Sequence, residues 1–147
     1  MQENHLMAPT LQCLGYAFEI GLKAMLIVGD GDLDQVGKTY GHRLNDLWEA
    51  DGLKQVRQLT KEAAARWYYP DHWPQDGSSY DCFLKQFRWL GNIHAGRSVD
   101  GEYTGDFSLR YPTDEKTSVY PPDYLLEAAD SILGFVEGEL QRTAGKT

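Results

Sequence analysis

An apolar segment at residues 11–28 constrains the fold of this chain more than any other feature. It contains two charges, Glu19 and Lys23, near its middle. Two apolar rows run along it at helical spacing: Leu11, Leu14, Phe18, Leu22 and Met25 in one, and Ala17, Ile20, Ala24 and Ile27 in the other. Such rows make most of a helix circumference apolar. Because the charges disfavour a lipid environment, the segment predicts a central core helix over residues 8–28, ended at Gly29-Asp30-Gly31.

Shorter apolar patterns predict three further helices, near residues 41–69 with a break at Gly52, 79–92 and 122–142. Ser78 or Ser79 is expected to cap the third helix of the chain through its hydroxyl. Asp100-Gly101 favours the turn of a short hairpin in the segment before the last helix. The fold class that we predict for residues 1–147 is therefore all-α. We expect a single domain, an up-and-down bundle of four to five helices with a long Gly/Pro-containing loop before the last helix.

The charge is uneven along the chain, whose formal net charge is -8. Residues 100–139 carry ten carboxylates and two basic side chains, so the first 99 residues are nearly balanced. An acidic protein is poorly suited to broad binding of nucleic acid or anionic membranes. We therefore expect an anionic partner to meet the N-terminal two thirds of the chain, and we expect no membrane association.

The cysteines and the N-terminus bear on the cellular compartment. Cys13 and Cys82 lie in apolar segments without the CxxC spacing of a redox or metal site, which favours reduced thiols in a cytoplasmic protein. Residues 1–8 have no basic region ahead of an apolar stretch, so a signal peptide is not expected. The four histidines, at positions 5, 42, 72 and 94, show no metal-binding spacing. The sequence alone thus predicts no metal and no cofactor.

Three groups of polar residues are candidates for ligand binding. Glu19 and Lys23 are four residues apart, so they pair on one helix face, either as a simple ion pair or as a polar site in the bundle cleft. His42 is placed at a helix start, where the helix dipole favours a neutral imidazole. It either bonds to a neighbouring helix or takes part in the same cleft. Arg110 and Tyr111 either pin an acidic loop to the bundle or face that cleft and bind an anion.

The residues Glu19-Ile-Gly-Leu-Lys23-Ala-Met-Leu, Gly41-His42-Arg-Leu-Asn-Asp-Leu47 and Leu109-Arg110-Tyr111-Pro112 together give a resemblance to a known family. The chain resembles, over nearly its whole length, the HEPN-like superfamily of helical bundles. That resemblance implies a bundle of four or five helices that forms a homodimer. It also implies a nucleotidyltransferase-like protein partner, since HEPN-like proteins are often paired with one.

Catalytic HEPN proteins are commonly metal-independent ribonucleases with an Arg-x4-6-His signature, and Arg88 and His94 match that spacing. In such an enzyme the arginine would stabilise phosphate charge and the histidine would act as acid or base. A six-residue step on a straight helix, however, leaves the two side chains roughly 120° apart. His94 also continues the apolar row of Tyr80, Phe83, Phe87 and Leu90, which favours an interior histidine.

These observations lead to two functional expectations. The first is an HEPN-like binding or interaction module, non-catalytic or degenerate, in a nucleotide- or RNA-linked defence or stress system. The alternative is a toxin-type, metal-independent RNase that uses Arg88 and His94.

Overall fold

The computed structural model describes residues 2–29, 31–67, 78–96 and 123–145, with side chains from residue 9 onward. These residues form helices and no strand, which confirms the all-α class. The elements in chain order are α1 (Gln2–Val28), α2 (Leu33–Tyr40), α3 (Leu44–Trp48), a 3-10 turn (Asp51–Leu53), α4 (Lys54–Ala64), α5 (Ser79–His94) and α6 (Asp123–Ala144).

Helix α1 lies at the centre of this bundle. It packs most extensively against α6 and also contacts α2, α3 and α5. The first apolar row of α1 is buried in the shared core, with Phe18 and Leu22 almost completely inaccessible. The stretch Pro9–Val28 is long and apolar enough to cross a membrane, a property that core helices of soluble proteins share.

The described part of the chain contains six α-helices, against the four to five that the sequence patterns predict. The difference lies first in α2, a segment that we expected to be a polar connection. Asp32 caps this helix by accepting a hydrogen bond from the Asp34 amide at 3.1 Å, but Val36 is its only buried residue. One apolar side chain is too weak a periodic signal to predict a helix. Helix α1 also begins at Gln2, earlier than predicted, and contains Pro9.

The second predicted helix is divided where the sequence indicates a break. Gly52 lies in the 3-10 turn between α3 and α4, and α4 ends at Ala64, five residues before the predicted end. In α5, Ser78 forms the expected cap: its side chain accepts from the Asp81 amide at 3.1 Å, and the Asp81 carboxylate accepts from the Ser78 amide at 3.3 Å. Helices α5 and α6 match their predicted positions closely. The proposed hairpin and the loop before α6 lie outside the described residues.

Candidate functional site

A buried carboxylate lies in the middle of the central helix. Glu19 Oε1 is 2.8 Å from His42 Nδ1 and 2.9 Å from His94 Nε2. Its second oxygen, Oε2, accepts a hydrogen bond from Lys23 Nζ at 3.3 Å. We call these four residues the Glu19 cluster. Three nitrogen groups thus converge on one carboxylate.

Three separate elements supply the cluster. Glu19 and Lys23 are one turn apart on α1, which places them on the same helix face. His94 is the last residue of α5. His42 follows Gly41, whose φ of 54° turns the chain between α2 and α3. The cluster therefore forms only when the bundle has folded.

The two imidazoles differ sharply in exposure. The His94 side chain is 5% exposed, whereas that of His42 is 62% exposed. His42 therefore forms the solvent side of the cluster. His94 and Glu19 form its floor.

The small residue Gly15 makes room for the inner imidazole. A Cβ atom at this position would lie only 2.6 Å from His94 Nδ1, closer than real Cβ atoms approach other atoms. The ring of Tyr16 meets the His94 ring edge-on, with centroids 5.0 Å apart. Together these neighbours fix the orientation of the His94 ring.

The electrostatics of the cluster favour an ionised Glu19. Burial raises the pKa of its carboxyl group, but hydrogen bonds from His42 and His94 and the positive charge of Lys23 lower it. The net effect is a pKa below the ordinary value of 4.5. A carboxylate can only accept hydrogen bonds, so each imidazole donates a proton to Oε1. This assigns the Nδ1–H form to His42 and leaves its Nε2 on the outer edge of the ring.

A polar depression of about 190 Å³ lies between α3 and the last turn of α5, and it is lined by Arg43, Asn45, Asp46, Gly91, Asn92 and Ala95. Asn45 Nδ2 donates to Asn92 Oδ1 at 3.1 Å and to the Arg88 carbonyl at 3.3 Å. Gly91 permits this contact, because a Cβ there would lie 2.7 Å from Asn45 Oδ1. Arg43 follows His42 and Ala95 follows His94, so two lining residues of the depression are the chain neighbours of the two imidazoles.

The structure groups the predicted site residues differently from the sequence. It brings Glu19, Lys23 and His42 together, as the cleft hypothesis requires. It adds His94, which the sequence analysis had paired with Arg88. The described residues offer the exposed Arg88 guanidinium no hydrogen bond or ion pair. Arg110 and Tyr111 lie outside the described residues.

Sequence reasoning missed the supporting residues Gly15, Tyr16 and Asn92. No spacing singles them out, because their role depends on contacts between different helices. Asn45 lies within the Gly41–Leu47 motif that carries the family resemblance, and this was the available signal for the depression. No family model, curated protein or solved structure matches this chain.

Proposed function

We propose that this protein is a non-catalytic, HEPN-like binding module that takes an anionic, phosphate-bearing ligand such as a nucleotide at the Glu19 cluster. One observation carries the proposal. A buried carboxylate gathers three nitrogen groups, one of which, His42, is open to solvent and is followed in the chain by Arg43, which lines a polar depression.

The cluster is more than the core needs for stability. Removing charged and polar groups from water costs free energy that their mutual contacts only partly recover, and apolar side chains often replace such groups without loss. Polar groups that are placed at the border of a pocket supply specificity for a ligand. The position of the Glu19 cluster thus favours binding over a purely structural role.

The chemistry around the depression suits an anion. His42 presents the outer edge of its ring to solvent, and the next residue in the chain, Arg43, brings a positive charge to the depression. The Arg43 side chain is oriented at the rim by the Tyr40 carbonyl and lies 3.5 Å from an Asp46 carboxylate oxygen. Asn45 and Asn92 add amide groups to the wall. A phosphate group in the depression would meet the Arg43 guanidinium.

The placement of His94 supports the non-catalytic form of the proposal. In the ribonuclease alternative, Arg88 and His94 would have to act on one phosphate. The His94 ring is instead buried, bonded to Glu19 and packed against Gly15 and Tyr16. A residue in that position orients Glu19 and does not reach a substrate.

The proposal is tested by titrating metal-free protein with adenosine mono-, di- and triphosphate and following the binding by calorimetry and NMR. We expect saturable binding that weakens at least tenfold in His42→Ala, while replacement of an exposed lysine of α4, Lys61→Ala, leaves binding like that of the wild type. Equal binding by wild type and His42→Ala, or no binding by either, would refute the proposed site. Metal-free cleavage of single-stranded RNA that disappears in His94→Ala would replace the proposal with the ribonuclease alternative.

The proposal includes a homodimer, in line with the family resemblance. Ile20 on α1 is 66% exposed, and three further exposed leucines repeat every seven residues along α6: Leu126, Leu133 and Leu140. Apolar side chains in such a row favour association with another helix. We expect light scattering at micromolar concentration to give twice the monomer mass and Ile20→Glu to give the monomer. A wild-type monomer throughout that range would contradict the dimer.

A further inference from the structure

We infer that the Glu19 cluster is also a binding site for one divalent transition-metal ion, held by Glu19 Oε1, His42 Nδ1 and His94 Nε2. The three ligand atoms all lie within 4.8 Å of one another. This inference concerns the same site as the proposed function. It rests on that function only for the role of the ion, which would be to attract the oxygens of the anionic ligand.

The donor set determines the class of ion. Two imidazole nitrogens and one carboxylate oxygen suit zinc, cobalt, iron and similar first-row ions, whereas magnesium and calcium prefer oxygen ligands alone. Three protein ligands leave one or more coordination positions open. Two histidines and one carboxylate on one side of an ion are therefore typical of a site that also binds an exogenous ligand.

The geometry needs only a small adjustment. Ligands at about 2.0–2.2 Å from an ion are separated from each other by about 2.8–3.6 Å at octahedral to tetrahedral angles. The present separations from Glu19 Oε1, 2.8 and 2.9 Å, are those of hydrogen bonds and lie at the lower end of that range. An ion in the place of the two shared protons therefore needs only small shifts of the imidazoles. His42 can make this movement, since it lies in an exposed turn.

Neighbouring side chains already hold the other two ligands, Glu19 and His94, in place. Lys23 bonds to Glu19 Oε2, which leaves Oε1 as the oxygen available to the ion. Gly15 and Tyr16 fix the ring of His94 with Nε2 directed at Oε1. Groups that orient ligands in this way contribute substantially to metal affinity in proteins. The charge of Lys23 opposes a dication, so we expect micromolar affinity and not tighter binding.

The open coordination positions would face the exposed side of the cluster. Glu19 and His94 occupy the buried side, and the depression is lined by Arg43, the residue that follows the exposed His42. An oxygen of a phosphate-bearing ligand that enters from this depression could complete the coordination. The same cleft would then use both protein donors and the ion for recognition.

The test is a titration of untagged, metal-free protein with Co²⁺, followed by its visible absorption and by thermal unfolding with and without the ion. We expect one Co²⁺ per chain and a rise in the melting temperature. In Glu19→Gln and in His42→Ala the affinity should fall at least tenfold. His42 is mostly exposed, so its variant should fold even if the Glu19 variant does not, and circular dichroism checks both.

Two controls separate this site from other donors. Glu62→Gln removes an exposed carboxylate of α4, and Cys13→Ser removes the exposed free thiol of α1. Both should bind Co²⁺ like the wild type. Absence of binding, binding that survives in His42→Ala, or binding that disappears in Cys13→Ser would each overturn the inference. Nucleotide binding by metal-free protein is measured separately, so the metal site and the proposed function can fail independently.

Discussion

Two of the buried polar side chains, Glu19 and Gln86, differ sharply in their hydrogen-bond partners. Glu19 on α1 is 9% exposed, and both of its oxygens have nitrogen partners. Gln86 on α5 is 1% exposed, and neither its Oε1 nor its Nε2 has a hydrogen-bond partner within the described residues. Glu19 thus bonds to three other side chains, whereas Gln86 bonds to none within the described residues.

This difference in partners distinguishes a candidate functional site, at Glu19, from a buried polar group that lowers the stability of the folded state, at Gln86. A buried amide without partners destabilises the folded state, since it has lost its hydrogen bonds to water. A buried carboxylate with three donors recovers much of that loss and fixes the positions of the donors. Burial of a polar group alone is therefore weak evidence of function. The convergence of groups from several elements is the stronger evidence, and of these two side chains Glu19 alone shows it.

The comparison predicts opposite effects for the same replacement at the two positions, and the larger effect is at Glu19. Glu19→Met removes the acceptor and leaves the buried His94 N–H and the Lys23 charge without their partner. We expect the free energy of unfolding to fall by about 3 kcal/mol, as when one member of a buried ion pair is removed. Urea denaturation at pH 7 measures this change. A loss below that of a typical surface substitution would show that the cluster is not coupled to folding.

The next largest effect tests whether the Glu19 cluster depends on the close packing of Gly15 against His94. Gly15→Ala introduces a Cβ 2.6 Å from His94 Nδ1, so the ring must shift and its bond to Glu19 must lengthen. We expect a loss of about 2 kcal/mol, as for overpacking of a core. Gly134→Ala on α6 is the matched control, since nothing lies within 4 Å of a Cβ there. It should stabilise the protein slightly through helix propensity. Equal thermal stability of the two variants would contradict the packing argument.

The sequence predicts those parts of the fold that depend on periodic burial. The apolar rows of α1, α5 and α6 are long, so the positions of α5 and α6 and the end of α1 are predicted closely, whereas α1 begins earlier than predicted. Short α2 is missed because its start depends on the Asp32 cap and its packing on Val36 alone. A local polar cap followed by one apolar residue occurs in many turns that are not helices.

The candidate site is predictable only in part, because the sequence pattern indicates local spacing but not contacts between distant residues. The spacing of Glu19 and Lys23 on one helix face is a local property, so the sequence predicts their pairing, and the structure confirms the ion pair at 3.3 Å. The contact of His94 with Glu19 joins residues that are 75 positions apart. Its signal in the sequence was only that His94 continues an apolar row. That observation predicts burial but does not identify the buried partner.

The third prediction concerns Gln86, where the expected effect is smaller and has the opposite sign from that at Glu19. Gln86→Met keeps an unbranched side chain of similar size and removes two polar atoms that lack partners. We expect the free energy of unfolding to rise by about 1 kcal/mol, the cost of an unsatisfied buried polar group. Thermal and urea denaturation beside Glu19→Met measure the contrast directly. Destabilisation by Gln86→Met would mean that the amide makes a bond in solution and that the comparison with Glu19 is weaker than drawn.

The smallest effect is the contribution of Glu19 to the pH dependence of stability. Burial raises the pKa of Glu19, but His42, His94 and Lys23 together lower it below 4.5, so the folded state favours the ionised form more than the unfolded state does. The stabilisation is therefore fully present above about pH 4.5 and is lost as the pH falls through the lower pKa of the folded state. The Glu19→Gln variant has no carboxyl group at this position, so this pH-dependent contribution to stability is absent from it. The difference in unfolding free energy between wild type and Glu19→Gln should thus shrink as the pH falls below 4.5, whereas a pair of curves that stay parallel there would show that Glu19 does not titrate as its contacts require.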